Sequence, residues 1–212
     1  MKKFEIITEA DARVLDVGTT VELVSGGVVT PLAKDTLAAR RVTVITAGAF
    51  DPSLASDLAP AADIRRVTIG NDHSGVALKK AILQHLRGRG MAVLDVGANS
   101  ADPVDYPDTA GAVAKSVARG EADAGIAIDG AGIGSAIAAN KVRGVRAAMC
   151  FDETTARYSR EHNGVNVLCL GATLIPEAAT ALRIVDVWLG TAMREARYIR
   201  RLIKIRRLEE QQ

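Results

Sequence analysis

The sequence has few of the features that mark membrane, nucleic-acid-binding or disulfide-stabilised proteins. Its 212 residues include two cysteines and 3% aromatic residues, and the formal net charge is +2. No apolar run approaches the roughly 20 residues that cross a bilayer, and the N-terminus becomes acidic before an apolar signal core could form. Few aromatics argue against stacking on nucleic-acid bases. Cys150 and Cys169 lie in apolar segments, so we expect them to be buried and reduced. These features favour a cytoplasmic globular protein with neither nucleic acid nor membrane as a partner.

A change in composition divides the chain into three parts. Residues 47–65 are rich in Ala, Pro, Asp and Ser, which predicts a linker. Residues 1–46 predict a small appendage with a helix-capping box at Thr8–Asp11, a strand at 19–24 and a helix at 30–41. So short a piece buries little surface alone, and we expect it to pack on something else. Residues 66–212 form the predicted main domain.

The main domain alternates short apolar strands with helices, which predicts βαβ units and a parallel sheet in an α/β fold. The strands lack in-and-out alternation, as expected for a sheet that is covered on both faces. Five strands are predicted, at 66–71, 91–97, 124–128, 145–150 and 165–171. The helices between and after them are predicted at 75–90, 108–122, 134–142, 152–163 and 177–190. Residues 194–212 predict a long basic helix beyond the sheet.

The loop after the third strand of this domain is the strongest candidate for a ligand site. It carries Asp129 and then Gly130, Gly132 and Gly134 at alternate positions. In open α/β sheets ligands bind at the carboxyl ends of the strands, and glycines with free N–H groups at a helix start favour an anion. The spacing is neither a Walker A motif nor a dinucleotide fingerprint. A tight strand-to-helix turn explains the loop equally well.

Two of the three histidines lie at the ends of predicted elements among Asp and Asn residues. Asp72 and His73 follow the first strand, and we expect them beside the glycine loop if the first and third strands are neighbours. His162 and Asn163 end the fourth helix. His85 lies within a helix, and we interpret it as structural.

Together these stretches resemble the ribose-5-phosphate isomerase B family, which includes the galactose-6-phosphate isomerase subunits. The resemblance rests on "IGNDHSGVALK", "VDYPDTA", "GAGIGSAIAANKVRGVRAAMC", "ARYSREHNGVNVLCLG" and "RYIRRLIKI", and covers about residues 66 to 205 in order. It implies a Rossmann-like three-layer sandwich and a homodimer, or a tetramer, with active sites shared across the interface. It also implies aldose–ketose isomerisation of a phosphorylated sugar through an enediolate, most simply of ribose 5-phosphate to ribulose 5-phosphate.

The resemblance assigns roles to matching positions. Asp129 stands where the family's base is found, and His162 matches the ring-opening histidine. The other matching residues are substrate-binding: Asp72, His73, Tyr106, Gly130, Gly132, Gly134, Ser135, Asn140, Lys141, Asn163, and the phosphate-binding pair Arg197 and Arg201. No cofactor is implied, and no cluster of ligands with metal spacing appears.

The chain departs from the family at three positions. Most members have a cysteine base at the position of Asp129, and a second branch has a glutamate base at the position of Ser135. A threonine that helps ring opening is replaced by Ala131, and an arginine after the fifth strand by Thr173. Carboxylates act as bases in other sugar-phosphate isomerisations, so we expect Asp129 to be the base. The alternatives are isomerisation of a six-carbon aldose phosphate, or a non-catalytic sugar-phosphate-binding or scaffold protein.

The two ends of the chain lie outside the usual isomerase domain. The seven cationic residues between Arg194 and Arg207 could form a nucleic-acid patch. Interleaved isoleucine and leucine residues instead favour packing against a partner subunit. Residues 1–46 resemble a segment found ahead of several bacterial microcompartment enzymes, which implies contact with shell proteins or neighbouring enzymes. A cap that thickens the oligomer interface is the equally weighted alternative.

Overall fold

A computed structural model describes residues 2–46, 58–60, 63–175, 177–193 and 196–211. The side chains of Ser25, Ala196 and Arg197 are outside the described part. Most of the predicted linker at 47–65 is also outside the described residues. The structure therefore does not bear on the predicted phosphate-binding role of the Arg197 side chain. The chain divides into two compact units, Met1–Leu54 and Ala55–Gln212.

The first unit is a small parallel α/β structure with a core of its own. Its elements are β1 (Lys3–Ile7), α1 (Glu9–Val14), β2 (Thr20–Val29), α2 (Pro31–Ala39) and β3 (Thr43–Thr46), with sheet order β1-β2-β3. The capping box at Thr8 and Asp11 is confirmed, with reciprocal side-chain bonds between the two residues. The sequence did not predict β1 or β3. β1 has only five residues, in which charged and apolar residues alternate over Lys3–Ile6 alone, and β3 has only four residues.

The second unit contains the predicted five-stranded parallel sheet. Its strands are β4 (Arg66–Asn71), β5 (Ala92–Asp95), β6 (Ala124–Asp129), β7 (Ala147–Met149) and β8 (Val167–Gly171), in the order β5-β4-β6-β8-β7. Its helices are α3 (Val76–Gly88), α4 (Tyr106–Ala118), α5 (Ile133–Ala139), α6 (Glu153–Asn163), α7 (Ala178–Gly190) and α8 (Ala196–Glu210). A short 3₁₀ helix, His73–Gly75, precedes α3. The α/β fold class and the parallel sheet are therefore confirmed.

Among the helices, α4 differs most from its prediction. The helix predicted at 108–122 is α4, which starts two residues earlier and ends four residues earlier. Asp105 is the N-cap and Pro107 lies in the first turn, where its missing N–H is harmless. Gly120 adopts φ +69°, and this left-handed conformation follows the end of the helix.

The sheet is the middle of three layers. Buried side chains of α3, α6 and α7 pack with Ile126, Ile128, Leu168 and Leu170 on one face. Buried side chains of α4 and α5 pack with Ala127, Val167 and Cys169 on the other. Successive apolar residues of β6 and β8 thus pack into the cores on opposite faces of the sheet. This explains why apolar and polar residues do not alternate along either strand. Among the described residues, no helix is long and apolar enough to cross a membrane.

Candidate active site

Asp129 ends the central strand β6, and its carboxylate is bound by the loop that follows it. Oδ1 accepts hydrogen bonds from the backbone N–H of Ala131 (2.8 Å) and of Gly132, and Oδ2 accepts one from the N–H of Ser135 (2.7 Å). The side chain is almost fully buried. The anion that this loop holds is therefore the chain's own carboxylate. A carboxylate has about four lone-pair positions, so one position on Oδ2 remains for a proton or a ligand.

Gly132 is required by the backbone geometry of the loop, and Gly134 leaves room for a neighbouring ring. Gly132 adopts φ +77° at the N-cap of α5, a conformation that L side chains rarely adopt. A methyl group on Gly134 would lie 2.6 Å from ring atoms of Tyr106. The Tyr106 ring therefore lies directly against the first turn of α5, beside the Asp129 loop. A methyl group on Gly130 would meet only the Ser74 hydroxyl, at 3.9 Å.

The predicted pair after β4 lies at the same edge of the sheet, because β4 and β6 are neighbours. The Asp72 N–H donates to the carbonyl of Ile128 (3.0 Å), one residue before Asp129. Asp72 is the N-cap of the short 3₁₀ helix, and its Oδ1 accepts hydrogen bonds from the N–H and the hydroxyl of Ser74. His73 is exposed, and its Nδ1 lies 3.3 Å from the N–H of Val104, just before Tyr106.

The loop after β8 supports the Asp129 loop from the other side. The Ala172 N–H donates to the Asp129 carbonyl (2.8 Å), and the N–H of Thr173 donates to the Gly130 carbonyl (2.9 Å). The Thr173 hydroxyl donates to the same carbonyl. Thr173 therefore ties the loop after β8 to the Asp129 loop.

A buried lysine that was not predicted holds the segment leading to Tyr106. The Lys79 side chain is 3% exposed, and its ammonium donates to Asp95 Oδ1 (2.9 Å), the Ala98 carbonyl (2.7 Å) and Asn99 Oδ1 (3.0 Å). These three bonds use all three ammonium protons. In the sequence Lys79 is indistinguishable from its exposed neighbour Lys80.

Ser135 and Asn71 carry buried polar atoms at this edge. Within the described residues, the Ser135 hydroxyl and the Asn71 Oδ1 have no hydrogen-bond partner. An unpaired buried polar atom costs free energy, which is recovered when a ligand or a water satisfies it. The Ser135 hydroxyl belongs to the residue whose N–H holds Asp129.

His162 lies in a different place, at the end of α6. Its ring stacks on Tyr158 at 4.6 Å between centroids and lies against Tyr198 of α8, also at 4.6 Å. The Arg201 guanidinium lies 5.6 Å from the centroid of Tyr198. A stack of three rings and one cation therefore joins the end of α6 to α8.

Asn140, Lys141 and Asn163 also lie away from Asp129. The Asn140 amide bonds to the carbonyls of Ala136 and Ala147 and to the N–H of Ala147, so it joins the end of α5 to the start of β7. Asn163 donates to the Tyr158 carbonyl (3.3 Å), and both Asn163 and Lys141 are exposed. The substrate-binding role of these residues stays a prediction.

The predicted site residues thus form two groups at opposite edges of the sheet. The carboxyl-edge group contains Asp72, His73, Tyr106, Asp129, Gly130, Gly132, Gly134 and Ser135. The amino-edge group contains Asn140, Lys141, His162, Asn163 and Arg201. Helix α6 ends just before β8 begins at Val167, and β8 reaches the level of Asp129 only at Gly171. At about 3.3 Å a residue, that strand alone separates the edges by about 13 Å.

Neither cysteine lies in the Asp129 loop. Both are free and buried, with side chains in the cores on opposite faces of the sheet. Burial raises the pKa of the Cys150 thiol. Burial, and then the negative charge of Asp129, raise the pKa of Cys169 far above its usual range. At neutral pH neither supplies a thiolate, and Asp129 is the acidic group left in the loop.

Comparison with known proteins agrees with this architecture. Residues 67–205 match the model of the ribose/galactose isomerase family. Ribose-5-phosphate isomerase B of Escherichia coli K12 is 42% identical over 147 residues, which span 69% of this chain and 98% of that protein. The structure of ribose-5-phosphate isomerase B from Clostridium thermocellum has 44% identity and a TM-score of 0.67, covering 69% of this chain and 98% of its own. The Mycoplasma genitalium enzyme with bound ribulose 5-phosphate has 40% identity and a TM-score of 0.66, covering 69% and 97%. The chain therefore belongs to the ribose/galactose isomerase family.

Proposed function

We propose that the protein interconverts ribose 5-phosphate and ribulose 5-phosphate, with Asp129 as the base. The observation that carries the proposal is the buried Asp129 carboxylate at the carboxyl end of β6, in a chain 42% identical to a ribose-5-phosphate isomerase B. The substrates of the relatives support the choice of a phosphorylated pentose.

The proposed chemistry moves one proton between adjacent carbons. After the sugar ring opens, Asp129 removes the proton on C2 as the aldehyde oxygen on C1 gains negative charge, which gives an enediolate. The C1 oxygen then gains the proton that the C2 hydroxyl gives up, the proton held by Asp129 is delivered to C1, and the carbonyl group forms at C2. The free lone-pair position on Oδ2 of Asp129 is where the proton is held between the two steps. General-base catalysis of this kind contributes roughly 10²- to 10⁴-fold to the rate.

The separation of the two groups supports a homodimer with shared sites. His162 and Arg201 lie at the amino edge of the sheet and Asp129 at the carboxyl edge, so one substrate cannot contact all three in one chain. In the proposed dimer, the amino-edge group of one subunit faces the carboxyl-edge group of the other. Arg201 then binds the phosphate, and His162 opens the ring. Exposed Ile133 and Ile137 on α5 and Tyr106 beside it provide apolar surface for such an interface.

The test compares the turnover of ribose 5-phosphate by the wild type, Asp129→Asn and Asp129→Cys. If Asp129 is the base, Asp129→Asn loses at least 10²-fold in kcat. Asp129→Cys restores the family's usual base and retains measurable activity. Because the asparagine NH₂ would face the Ser135 N–H, thermal unfolding must show that this variant is folded. An active Asp129→Asn enzyme would exclude Asp129 as the base.

The shared site has its own test in the same assay. Asp129→Asn and His162→Asn subunits are each inactive alone. When they are mixed and refolded together, one of the two sites in each mixed dimer has both residues intact, so activity reappears. No recovery, with mixed dimers present, would contradict the shared arrangement.

One observation favours a second candidate, a non-catalytic sugar-phosphate-binding protein. The N–H groups of Ala131, Gly132 and Ser135 are occupied by Asp129, so these donors are unavailable to an enediolate. Ligand binding without turnover in the wild type, with turnover gained in Asp129→Cys, would establish this reading. Isomerisation of a six-carbon aldose phosphate is the remaining alternative. Ala131 and Thr173 favour it because they stand in place of a threonine and an arginine of the family, which changes the volume and charge beside Asp129.

We place the protein in the cytoplasm, with the first unit as a packaging or interface element. The resemblance of residues 1–46 to segments of microcompartment enzymes supports packaging, and the self-contained core of the unit is compatible with either role. Removal of residues 1–46 separates the two. Loss of co-purifying shell protein at constant mass indicates packaging, whereas a smaller oligomer indicates an interface.

A further inference from the structure

We infer that Tyr158 and Tyr198 are positioning residues that hold the His162 imidazole for ring opening. The inference rests on the proposed isomerase function and adds the groups that orient its ring-opening residue. Neither tyrosine was assigned a role from the sequence, although both lie in the stretches "ARYSREHN" and "RYIRRLIKI".

The geometry is that of a ring held on both faces. Tyr158 lies four residues before His162 on α6, the spacing that brings side chains together on one helix face. Its ring is nearly parallel to the imidazole, at 15° and 4.6 Å. Tyr198 approaches from α8 at 4.6 Å and 32°. Tyr198 is buried, whereas Tyr158 is 49% exposed.

The imidazole has no other anchor in the described part of the chain. A functional histidine is usually oriented by a hydrogen bond to one ring nitrogen, which also fixes the tautomer. Within the described residues, neither nitrogen of His162 makes a hydrogen bond, and its ring contacts are the two tyrosines. Stacking fixes the plane of the ring and leaves both nitrogens at its edge free for proton transfer. Such transfer needs one nitrogen that accepts a proton and one that donates.

The same stack connects ring opening to phosphate binding. The Arg201 guanidinium lies over the ring of Tyr198 and makes a cation–π contact with it. Tyr198 is therefore common to His162 and to Arg201. Because Tyr198 contacts both residues, the packing of α6 against α8 sets the distance between His162, which opens the ring, and Arg201, which binds the phosphate.

The experiment separates ring opening from proton transfer by the choice of substrate. Ribose 5-phosphate is mainly a closed furanose and must be opened. Ribulose 5-phosphate stays open because its C5 oxygen carries the phosphate. Turnover of ribose 5-phosphate therefore needs both steps, whereas uptake of deuterium from D₂O at C1 of ribulose 5-phosphate needs only proton transfer. Both are measured for full-length wild type, Tyr158→Leu and Tyr198→Leu, with Tyr158→Phe and Tyr198→Phe as controls that retain the rings.

We expect the leucine variants to lose at least tenfold in kcat for ribose 5-phosphate and to keep deuterium uptake within about twofold of wild type. The phenylalanine variants should behave as wild type in both assays. Because each tyrosine is tested separately, and Tyr158 is half exposed, misfolding of one variant leaves the other informative. The ring protons of His162 should also shift downfield in the NMR spectrum of Tyr158→Leu, while those of His73 and His85 stay unchanged.

Two results overturn the inference. Equal loss of turnover and of deuterium uptake in the leucine variants would show that the tyrosines serve the whole site or the fold. Unchanged turnover would show that His162 needs no such support. A wild type that neither turns over ribose 5-phosphate nor exchanges deuterium would instead refute the proposed function, and the inference with it.

Discussion

Gly134 lies against the ring of Tyr106, so a substitution at position 134 can displace that ring without weakening the fold. In Gly134→Ala the new methyl group would lie 2.6 Å from the Tyr106 ring, where ordinary contact begins at 3.4 Å. The ring must therefore move by about 0.8 Å, and it can, because Tyr106 is 40% exposed. At the same time alanine is favoured over glycine within a helix by about 0.5–1 kcal/mol.

The two effects have opposite signs in two different measurements. A displacement of about 1 Å near the reacting atoms can cost about 10²-fold in rate. We therefore expect kcat/KM for ribose 5-phosphate to fall by roughly 10- to 100-fold, which corresponds to about 1.4–2.7 kcal/mol. The free energy of unfolding should stay the same or rise slightly. Activity would thus fall in a protein that is at least as stable as the wild type.

Gly111→Ala is the matched control. Gly111 lies within α4, and a methyl group there meets nothing within 4 Å. This variant should gain the same helix stability and keep full activity in the isomerase assay, with unfolding followed in urea. Full activity in Gly134→Ala, or equal losses in both variants, would refute the placement of Tyr106 at the substrate.

Two further predictions concern buried groups. Lys79→Met leaves the carboxylate of Asp95, itself 22% exposed, without its cation, so we expect the free energy of unfolding in urea to fall by about 3 kcal/mol. Lys80 is an exposed neighbour, and Lys80→Met should change this free energy little. Equal effects of the two substitutions would contradict the role of the buried ammonium. Burial raises the pKa of both thiols in the folded state. The contribution of the protonated thiols to the free energy of unfolding is therefore fully present below the unfolded thiol pKa of about 8.5. It falls as pH rises above that value, by at most about 1.4 kcal/mol per pH unit for each thiol. A thiol reagent at pH 8 should accordingly label neither cysteine in the native protein and both in denaturant, and rapid native labelling would contradict their burial.

The main sheet was predictable because its signal is local and repeated. Each strand from β4 to β8 is a short apolar run next to a helical segment, and the strand over 66–71 matches its prediction residue for residue. β1 and β3 were missed because they are short edge strands of five and four residues, too few for a pattern to stand out.

For the candidate site, the sequence indicates which residues to consider but not how they are arranged, and their roles stay predictions. Sequence motifs indicate Asp129 and His162 equally well, yet which edge of a sheet each reaches depends on the direction of the element that ends there. Strand β6 runs toward the carboxyl edge and α6 runs back to the amino edge. The hydrogen bonds of Asp129 were also beyond prediction, because a carboxylate that precedes a glycine loop can either point into it or leave it to a ligand.

The carboxylate bound within its own loop makes Asp129 a tethered ligand. A covalently attached group has an effective concentration at its site that dissolved ions do not reach. Sulfate, chloride and inorganic phosphate therefore compete poorly for the N–H groups of Ala131, Gly132 and Ser135. Free phosphate in the cell thus finds these three N–H groups already occupied by the chain's own carboxylate.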